Sequence, residues 1–334
     1  MYLYFLGDLH TSDMNPWSLP TGELFLKWFD QQQFEPNSEL IQLGDLVEVA
    51  VNGGKVFDQL HRFIDLCQLK FKHSYFIVGN HDVKPRRGQE QSVLEFIKSK
   101  SNCTVIDRPK MFNTVNDYSI IALPHITTQG IDLNQYYMTK LTTKYYDTQV
   151  DILAAHTNIR IPGHPFMDSG LEISKFKAKN FIFGHIHTRI KPEYTGSVWP
   201  NKINEEASSL PRQIRCFKRL NDECIEDSRR CITIPKFIEY KEITYPNSPT
   251  NIDPNIIQIY TVNNCSNLQI AKAHYNNLYI RGVNKNVDVN ANVSTSNSLF
   301  KIEKPIDALK NYMTETKTTL NRPLYNYLVN LLSS

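Results

Sequence analysis

Long apolar segments are missing from this sequence of 334 residues. No stretch approaches the roughly 20 consecutive apolar residues that a membrane-spanning helix requires. The first ten residues, MYLYFLGDLH, contain an apolar run that is too short for the hydrophobic region of a secretory signal, and no basic residue precedes it. We therefore expect a soluble protein with no export signal and no membrane partner.

Paired cysteine motifs are also absent. The six cysteines show no CxxC spacing, and in a chain of this length they are typical of free thiols in a reducing compartment. This pattern predicts a cytoplasmic protein. The abundance of Asn, Ile, Lys and Tyr is that of an AT-rich genome, such as a phage genome, in which case the compartment would be the host cytoplasm.

A large excess of charge of one sign is the third missing feature. The chain has 37 Lys and Arg against 34 Asp and Glu, so its net charge is only +3. Global charge therefore supplies little attraction for a polyanion, and any nucleic-acid surface must be a local patch. With 41% hydrophobic residues the composition is that of a globular protein, and the length corresponds to about two domains.

Short apolar runs alternate with longer amphipathic ones through the first half of the chain. This alternation predicts an α/β sandwich. We place strands near 2–7, 39–43, 74–78, 104–106, 119–123, 150–155 and 180–184, and helices near 21–33, 54–69, 90–99 and 133–145. Most of the strands end at polar clusters, which is where open α/β sheets form ligand sites.

The pattern changes in the second half. The segments QIRCFKRL and CITIPKF predict hairpin strands on the edge of a second sheet, and the order strand, helix, strand after 255 predicts a small α/β unit. We divide the chain into a main domain, 1–245, a small capping domain, 246–283, a polar linker, 284–301, and a C-terminal helical element, 302–334. That last element either folds back on its own domain or docks a partner, because a flexible linker would let it reach another chain.

Metal-ligating residue types gather at five of the strand ends. The clusters are Asp8-Leu9-His10, Gly44-Asp45, Gly79-Asn80-His81-Asp82, His156, and Gly184-His185-Ile186-His187. Mixed Asp, His and Asn ligands suit manganese, iron or zinc, and two metals are the natural number for such a set. An isolated DxH or HxH is weak evidence, because a lone buried histidine is more often a core residue. Five clusters in this order at strand ends predict a metal centre.

This ordered set resembles the calcineurin-like metallophosphoesterases over roughly residues 1–200. Within that family the chain is most similar to the SbcD-type DNA repair nucleases, especially the compact phage recombination-nuclease subunits. Three features carry the narrower resemblance: LPHI at 123–126, YTGSVWP at 194–200, and the small cap with a C-terminal helical element. The resemblance implies a two-sheet sandwich flanked by helices, with a small α/β capping domain and a helical partner-binding element.

The resemblance also implies roles for the clustered residues. One divalent metal, with Mn²⁺ as the expected ion, would be held by Asp8, His10 and His187, and a second by Asn80, His156 and His185, with Asp45 as the bridge. His81 would be no ligand but would act on the leaving oxygen. Glu48 stands where the family commonly has aspartate, and we expect it to orient His81.

The activity implied by the resemblance is that of a manganese-dependent DNA nuclease, a 3'-to-5' exonuclease on duplex ends and an endonuclease on single strands. Its partners would be DNA, a second copy in a homodimer, and an SbcC-type coiled-coil ATPase that grips the C-terminal helices in a heterotetramer. Lys84, Arg86 and Arg87 follow the GNHD loop and either contact DNA phosphates or form a solvated basic loop.

Two other functions stay open at this point. The same metals could act on a small phosphodiester or a phosphoprotein, although protein phosphatases of this fold usually carry glutamate after GNH, where this chain has Asp82. The protein could also be a scaffold that holds DNA or an ATPase without cutting. The complete set of ligands together with His81 argues against a scaffold.

Overall fold

The structure is a computed structural model of the whole chain. It describes residues 1–48, 53–86, 89–125, 143–162, 170–200, 205, 210–249, 253–265, 267–275 and 277–284. All of these belong to the compact unit Met1–Lys285. Most of the predicted helix 133–145, nearly all of the linker 284–301, and the C-terminal element 302–334 lie outside the described residues.

The described residues form sixteen strands and three α-helices. The strands are β1 (Tyr2–Leu6), β2 (Glu39–Gln42), β3 (His73–Ile77), β4 (Val83–Arg86), β5 (Gln89–Ser92), β6 (Cys103–Ile106), β7 (Lys110–Asn113), β8 (Ser119–Leu123), β9 (Val150–His156), β10 (Ala178–Gly184), β11 (Gln213–Leu220), β12 (Glu223–Glu226), β13 (Ile232–Thr233), β14 (Ile238–Thr244), β15 (Ile257–Asn263) and β16 (Tyr279–Asn284). The helices are α1 (Ser18–Gln31), α2 (Gly54–Lys70) and α3 (Leu268–His274), and short 3₁₀ helices cover Val93–Ser99, Thr143–Tyr145 and Ile173–Lys175.

Two sheets make up the main body. The first has the order β12-β11-β1-β2-β3-β6, with β13 beside β11, and its strands β1, β2, β3 and β6 are parallel. The second has the order β10-β9-β8-β7, in which β8, β9 and β10 are parallel. A set of parallel strands brings its carboxyl ends to one edge of the sheet, so each sheet can gather residues from distant parts of the chain.

Alternation along β1 shows why these sequences form a layered fold. Leu3 and Phe5 belong to the buried core between the two sheets, together with Ile152 of β9. Tyr4 and Leu6 point the other way and pack in the core that α1 and α2 cover. Because successive side chains of a strand face opposite sides, a fully apolar strand is buried only when both of its faces are covered.

The small α/β unit is a three-stranded parallel sheet in the order β14-β15-β16, and α3 connects β15 to β16. Its first strand begins at Ile238, upstream of the expected boundary at 246. One face packs Val262 against Ala271 of α3. Ile238 and Ile259 join the core under α1 and α2, so this unit shares apolar packing with the main body.

Two sequence predictions about local structure need correction. Residues 90–99 do not form a single helix, because Gln89–Ser92 pairs with β4 as β5 and only Val93–Ser99 is helical, as a 3₁₀ helix. The Ser92 hydroxyl accepts a hydrogen bond from the N–H of Leu94 and so starts that helix. The segment QIRCFKRL lies in the first sheet, beside β1, and Ile232–Thr233 of CITIPKF pairs with it there. None of the described helices is long and apolar enough to cross a membrane.

Candidate metal centre

The five predicted clusters all lie in turns or at the last residue of parallel strands. Asp8 follows β1, Asp45 follows β2, and Asn80 follows β3 in the first sheet. His156 ends β9 and His185 comes directly after β10 in the second sheet. The carboxyl edges of the two sheets therefore supply the site together.

The turns adopt backbone conformations that are uncommon for residues with side chains. His10, Asp45 and His185 have φ values of 53°, 51° and 77°, in the left-handed region. Hydrogen bonds between the turns hold these conformations, since the N–H groups of Leu9 and His10 both donate to the carbonyl of Asp45 at 3.0 Å. The conformations are thus maintained by neighbouring turns and not by local sequence alone.

The segment YTGSVWP forms backbone hydrogen bonds with two of the turns that carry donors. The N–H of Val198 donates to the carbonyl of Asp8 at 2.8 Å, and the N–H of Ser197 donates to that of His187 at 3.1 Å. Gly7 allows this approach, because a Cβ at that position would lie 1.9 Å from the carbonyl oxygen of Gly196. The segment thereby links the DxH turn to the GHxH turn.

The carboxylate of Asp82 joins two further turns. Its oxygens accept hydrogen bonds from the N–H groups of Asp45, Leu46 and Gly79 at 2.9 Å each, and of Val47 at 3.3 Å. Burial and the nearby charge of Asp45 raise the pKa of Asp82 to about 7, while the N–H of Gly79 acts in the opposite direction. Asp82 thus fastens the GNHD turn to the GDLV turn.

The first group of donors consists of Asp8, His10, Asp45 and His187, whose ligand atoms all lie within 4.8 Å of one another. Nε2 of His10 is 3.6 Å from Oδ2 of Asp45 and 3.9 Å from Oδ2 of Asp8. The rings of His10 and His187 lie with their centroids 4.3 Å apart. These spacings are those of side chains that converge on a common point.

The second group is Asp45, His156 and His185, again with ligand atoms within 4.8 Å. Oδ1 of Asn80 lies 3.0 Å from Nε2 of His156 and 3.0 Å from Nδ1 of His185. Nε2 of His156 is 3.1 Å from Oδ2 of Asp45. Asp45 is the member that both groups share, so its carboxylate lies between two clusters of donors.

Buried atoms without partners test whether these donors fit metal ions. Oδ1 of Asp8, Oδ2 of Asp45 and both ring nitrogens of His10 are buried and make no hydrogen bond of ordinary geometry among the described residues. Their nearest charged neighbours are ion-pair contacts, at 2.8 Å between Nδ1 of His10 and Oε2 of Glu48 and at 3.1 Å between Oδ2 of Asp45 and Nε2 of His156. A buried polar atom that lacks a partner costs free energy, and a cation supplies the missing interaction. The oxygen and nitrogen donors and the unsatisfied atoms therefore fit two divalent ions.

Burial and mutual charge shift the pKa values of the clustered groups. Burial raises the pKa of Asp8, whereas the histidines, His156 first, outweigh burial and lower that of Asp45. Burial lowers the pKa of His156, but the Asp45 charge prevails and raises it to about 9. Burial together with the His156 charge lowers the pKa of His185 to about 3. Opposite shifts in neighbouring groups are typical of functional sites.

His81 lies beside the first group but is attached differently. Its main-chain N–H donates to Oδ1 of Asp45 at 2.9 Å, and its Nδ1 contacts the main-chain carbonyl of Glu48. The sequence led us to expect that Glu48 orients His81, and the contact with Nδ1 of His81 is made by the Glu48 main-chain carbonyl. Oε2 of Glu48 lies 2.8 Å from Nδ1 of His10, in a cluster that also contains His81.

The basic residues after the GNHD loop are placed only in part. Lys84 and Arg86 lie on β4, which pairs with β5 in a two-stranded sheet. Arg87 lies outside the described residues. Their expected contact with DNA phosphates therefore stays a prediction.

Two residues at the site escaped the sequence prediction. Oε1 of Glu205 lies 3.0 Å from Nδ1 of His187, and no spacing pattern in the sequence points to that glutamate. His125 follows β8, and its ring centroid is 6.2 Å from that of His185 and 6.3 Å from that of His156. Burial and the His156 charge lower the pKa of His125 to about 4. The sequence did contain a signal for His125, because this histidine comes just after a predicted strand, as the metal-donor clusters do.

With the geometry established, comparison with known proteins gives the family. The family model described as calcineurin-like phosphoesterase matches residues 1–189. The chain belongs to this family. Members use a dinuclear site of divalent metal ions and hydrolyse phosphoesters, and the matched range contains all seven donors and His81.

Other comparisons add little. No curated protein matches the chain significantly. Among solved structures, a protein of unknown function from Aquifex aeolicus is similar, with 15% sequence identity over 54% of this chain and 88% of that one, and with a TM-score of 0.29. We draw nothing from that likeness.

Proposed function

We propose that this metallophosphoesterase is the nuclease subunit of an SbcD-type DNA recombination and repair complex. It would hydrolyse DNA phosphodiester bonds as a 3'-to-5' exonuclease on duplex ends and as an endonuclease on single strands. The observation that carries the hydrolytic part is the convergence of seven donors at one edge of the two sheets, with Asp45 common to both groups and Asn80 in contact with His156 and His185.

The residues would hold two divalent ions, with Mn²⁺ as the proposed metal. Asp8, His10 and His187 would hold one, Asn80, His156 and His185 the other, and Asp45 would bridge them. Two such ions supply Lewis-acid stabilisation of charge on the phosphodiester oxygens and lower the pKa of a bound water.

The chain's own contribution to the chemistry is His81. Its main chain is held by Asp45 and its Nδ1 by the Glu48 carbonyl, so Nε2 is the nitrogen left to face a substrate. We assign His81 as proton donor to the departing sugar oxygen, since a positioned acid of this kind accelerates the cleavage of a poor leaving group. A carbonyl oxygen on Nδ1 favours the proton there and so sets the orientation of the ring.

The choice of DNA as substrate is supported by the features that accompany the site. The segment YTGSVWP binds both the DxH and the GHxH turns. A small α/β unit that contains a strand-helix-strand segment follows β13 of the first sheet along the chain. Lys84, Arg86 and Arg87 follow the GNHD motif in the sequence and would supply positive charge for phosphate contacts. The proposed partners are DNA, a second copy of the chain, and an SbcC-type ATPase that binds residues 302–334.

The first experiment measures Mn²⁺-dependent cleavage of end-labelled duplex and single-stranded DNA by the purified protein. We expect cleavage by the wild type and none by Asp45→Ala, which removes the bridging carboxylate. His81→Gln is expected to cleave DNA about 10²- to 10⁴-fold more slowly while still binding Mn²⁺. Wild-type protein that cleaves bis(p-nitrophenyl) phosphate but no DNA, with or without the ATPase, would instead favour a small-substrate phosphodiesterase.

The variant His81→Gln also tests whether His81 is the proton donor. The p-nitrophenolate group departs without a proton, so His81→Gln should lose much less activity on bis(p-nitrophenyl) phosphate than on DNA. Equal losses on both substrates would remove His81 from the role of proton donor. Arg62→Gln serves as control, because Arg62 pairs with Glu23 on the exposed face of α2.

The partner proposal has its own test. Deleting residues 302–334 should abolish co-purification with an SbcC-type ATPase and leave Mn²⁺-dependent hydrolysis of bis(p-nitrophenyl) phosphate intact. Retention of the ATPase by the truncated protein would contradict docking through that element.

A further inference from the structure

His10 is held between carboxylates on its two nitrogens. Nδ1 lies 2.8 Å from Oε2 of Glu48, and Nε2 faces the oxygens of Asp45 and Asp8 at 3.6 and 3.9 Å. The ring is fully buried, so water does not compete for either nitrogen. A carboxylate on Nδ1 keeps the proton on that nitrogen and leaves the lone pair on Nε2, toward the donor cluster.

His187 also has a carboxylate beside its Nδ1. Its Nδ1 lies 3.0 Å from Oε1 of Glu205, whose residue is only 8% exposed. Arg212 donates to the main-chain carbonyl of Glu205 at 2.7 Å and so holds that backbone in place. Glu205 is eighteen residues from His187 in the sequence, so the tertiary fold creates this pair.

The second donor group is supported differently. Nδ1 of His156 lies 2.7 Å from the main-chain carbonyl of Leu43, which is neutral. Nδ1 of His185 faces Oδ1 of Asn80, a member of the donor group itself. Within the described part of the chain, a glutamate therefore stands behind the histidines of the first group and not behind those of the second.

We propose that Glu48 and Glu205 are positioning residues that hold His10 and His187 as Nδ1–H tautomers and strengthen metal binding by the Asp8, His10 and His187 group. This rests on the proposed two-metal function and gives Glu48 a role on His10 in place of the expected role on His81. A carboxylate behind a ligating histidine orients the ring and increases its basicity, and loss of such a partner costs about 10- to 100-fold in metal affinity.

The first test measures Mn²⁺ binding without DNA, by titration calorimetry and by the electron paramagnetic resonance of free Mn²⁺. Wild-type protein should bind two ions. Glu48→Leu and Glu205→Leu should each weaken one of them about 10- to 100-fold and leave the other unchanged. Glu48→Gln and Glu205→Gln should recover part of the loss, because the amide oxygen still accepts a hydrogen bond from Nδ1.

The second test needs no metal. In protein labelled with ¹⁵N-histidine and kept in chelator, the spectra should show His10 and His187 as Nδ1–H tautomers, assigned through His10→Ala and His187→Ala. Glu205→Leu should change the His187 signals alone. Unchanged tautomers together with wild-type affinity for both ions in the leucine variants would overturn the proposal.

Controls separate this inference from the proposed function. Glu172→Gln removes a glutamate that pairs with Lys175 away from the site, and it should bind Mn²⁺ as the wild type does. Thermal unfolding in chelator verifies that each variant folds. If wild-type protein binds two ions with these dependences yet cleaves no DNA, the positioning roles stand and the nuclease proposal fails.

Discussion

The carboxylate of Asp82 accepts a hydrogen bond from the main-chain N–H of Asp45 at 2.9 Å, across thirty-seven residues of sequence. Together with the bonds from Leu46, Val47 and Gly79, this contact makes one fully buried side chain the anchor of two turns that carry donors. The donor geometry therefore depends on a residue that we do not expect to touch a metal.

Replacement of Asp82 by alanine should lower the free energy of unfolding by about 3 kcal/mol, because several buried N–H groups lose their acceptor at once. Urea unfolding in chelator measures this loss apart from metal binding. Asp13→Ala is the matched control, since Asp13 accepts one exposed N–H, from Gly53 at 2.7 Å. It should cost about 1 kcal/mol or less. Equal losses in both variants would show that Asp82 is not an anchor.

Mn²⁺ should stabilise the folded protein. At a free concentration 100 times the dissociation constant, one bound ion adds about 2.7 kcal/mol, and for a chain of this size that raises the thermal midpoint by roughly 4 °C. Asp45→Asn should remove most of the shift, because Oδ2 of Asp45 faces one histidine of each donor group, His10 at 3.6 Å and His156 at 3.1 Å. Differential scanning calorimetry with and without chelator measures it. A shift of wild-type size in Asp45→Asn would contradict the shared role of Asp45.

Asp151 gives a prediction of pH dependence that is remote from the metal centre. Burial raises its pKa, but the N–H of Ser119 and the charges of Lys179 and Arg219 prevail and lower it below the usual value. A carboxyl group with a lowered folded-state pKa stabilises the protein above its unfolded pKa of about 3.9, and this stability is lost as the pH falls through the folded value.

Asp151→Asn should therefore cost about 2 kcal/mol at pH 7 and at pH 5, and clearly less at pH 3. Urea unfolding at the three pH values measures the difference from wild type. Asp147→Asn is the control, since its carboxylate pairs with Lys177 while 94% exposed, and it should change stability little at any pH. If Asp151→Asn lowers the free energy of unfolding as much at pH 3 as at pH 7, the negative charge of Asp151 is not the source of the stabilisation.

Gly7 tests the close approach of YTGSVWP to the DxH turn. Alanine would place a Cβ 1.9 Å from the carbonyl of Gly196, so Gly7→Ala should cost more than about 3 kcal/mol or prevent folding. Gly54→Ala is the matched control, because nothing lies within 4 Å of a Cβ there and the residue opens α2. It should leave stability unchanged or raise it by up to about 1 kcal/mol. Thermal unfolding of both variants, followed by circular dichroism, measures these changes in stability.

Much of the fold was predictable because the relevant signals are local. The apolar runs near 39–43 and 74–78 correspond to β2 and β3, and the predicted helix 54–69 corresponds to α2, Gly54–Lys70. The segment at 90–99 was predicted as one helix but divides at Ser92, because pairing of Gln89–Ser92 with β4 outweighs helix periodicity there. The helix periodicity of 90–99 carries no information about its pairing with the neighbouring strand β4.

The donor set was predictable for a similar reason. Residues that follow successive parallel strands must meet at one edge, so the order of strands and polar clusters along the chain is enough to group Asp8, Asp45 and Asn80. The partners on the far side of the histidines could not be found in this way. Glu205 belongs to none of the five clusters in the sequence, and the side chain of Glu48 had two histidines within reach.

The sequence by itself determined which residues can bind metal and that they lie at strand ends, because chemical type and alternation of burial are properties of the chain. Only the tertiary structure decided which nitrogen of each histidine faces which oxygen. The Glu48 carboxylate lies 2.8 Å from His10 while its carbonyl contacts His81, and Glu205 lies 3.0 Å from His187 across eighteen residues of sequence. These pairings depend on turn conformations that contacts between distant segments hold in place, and no single segment encodes them.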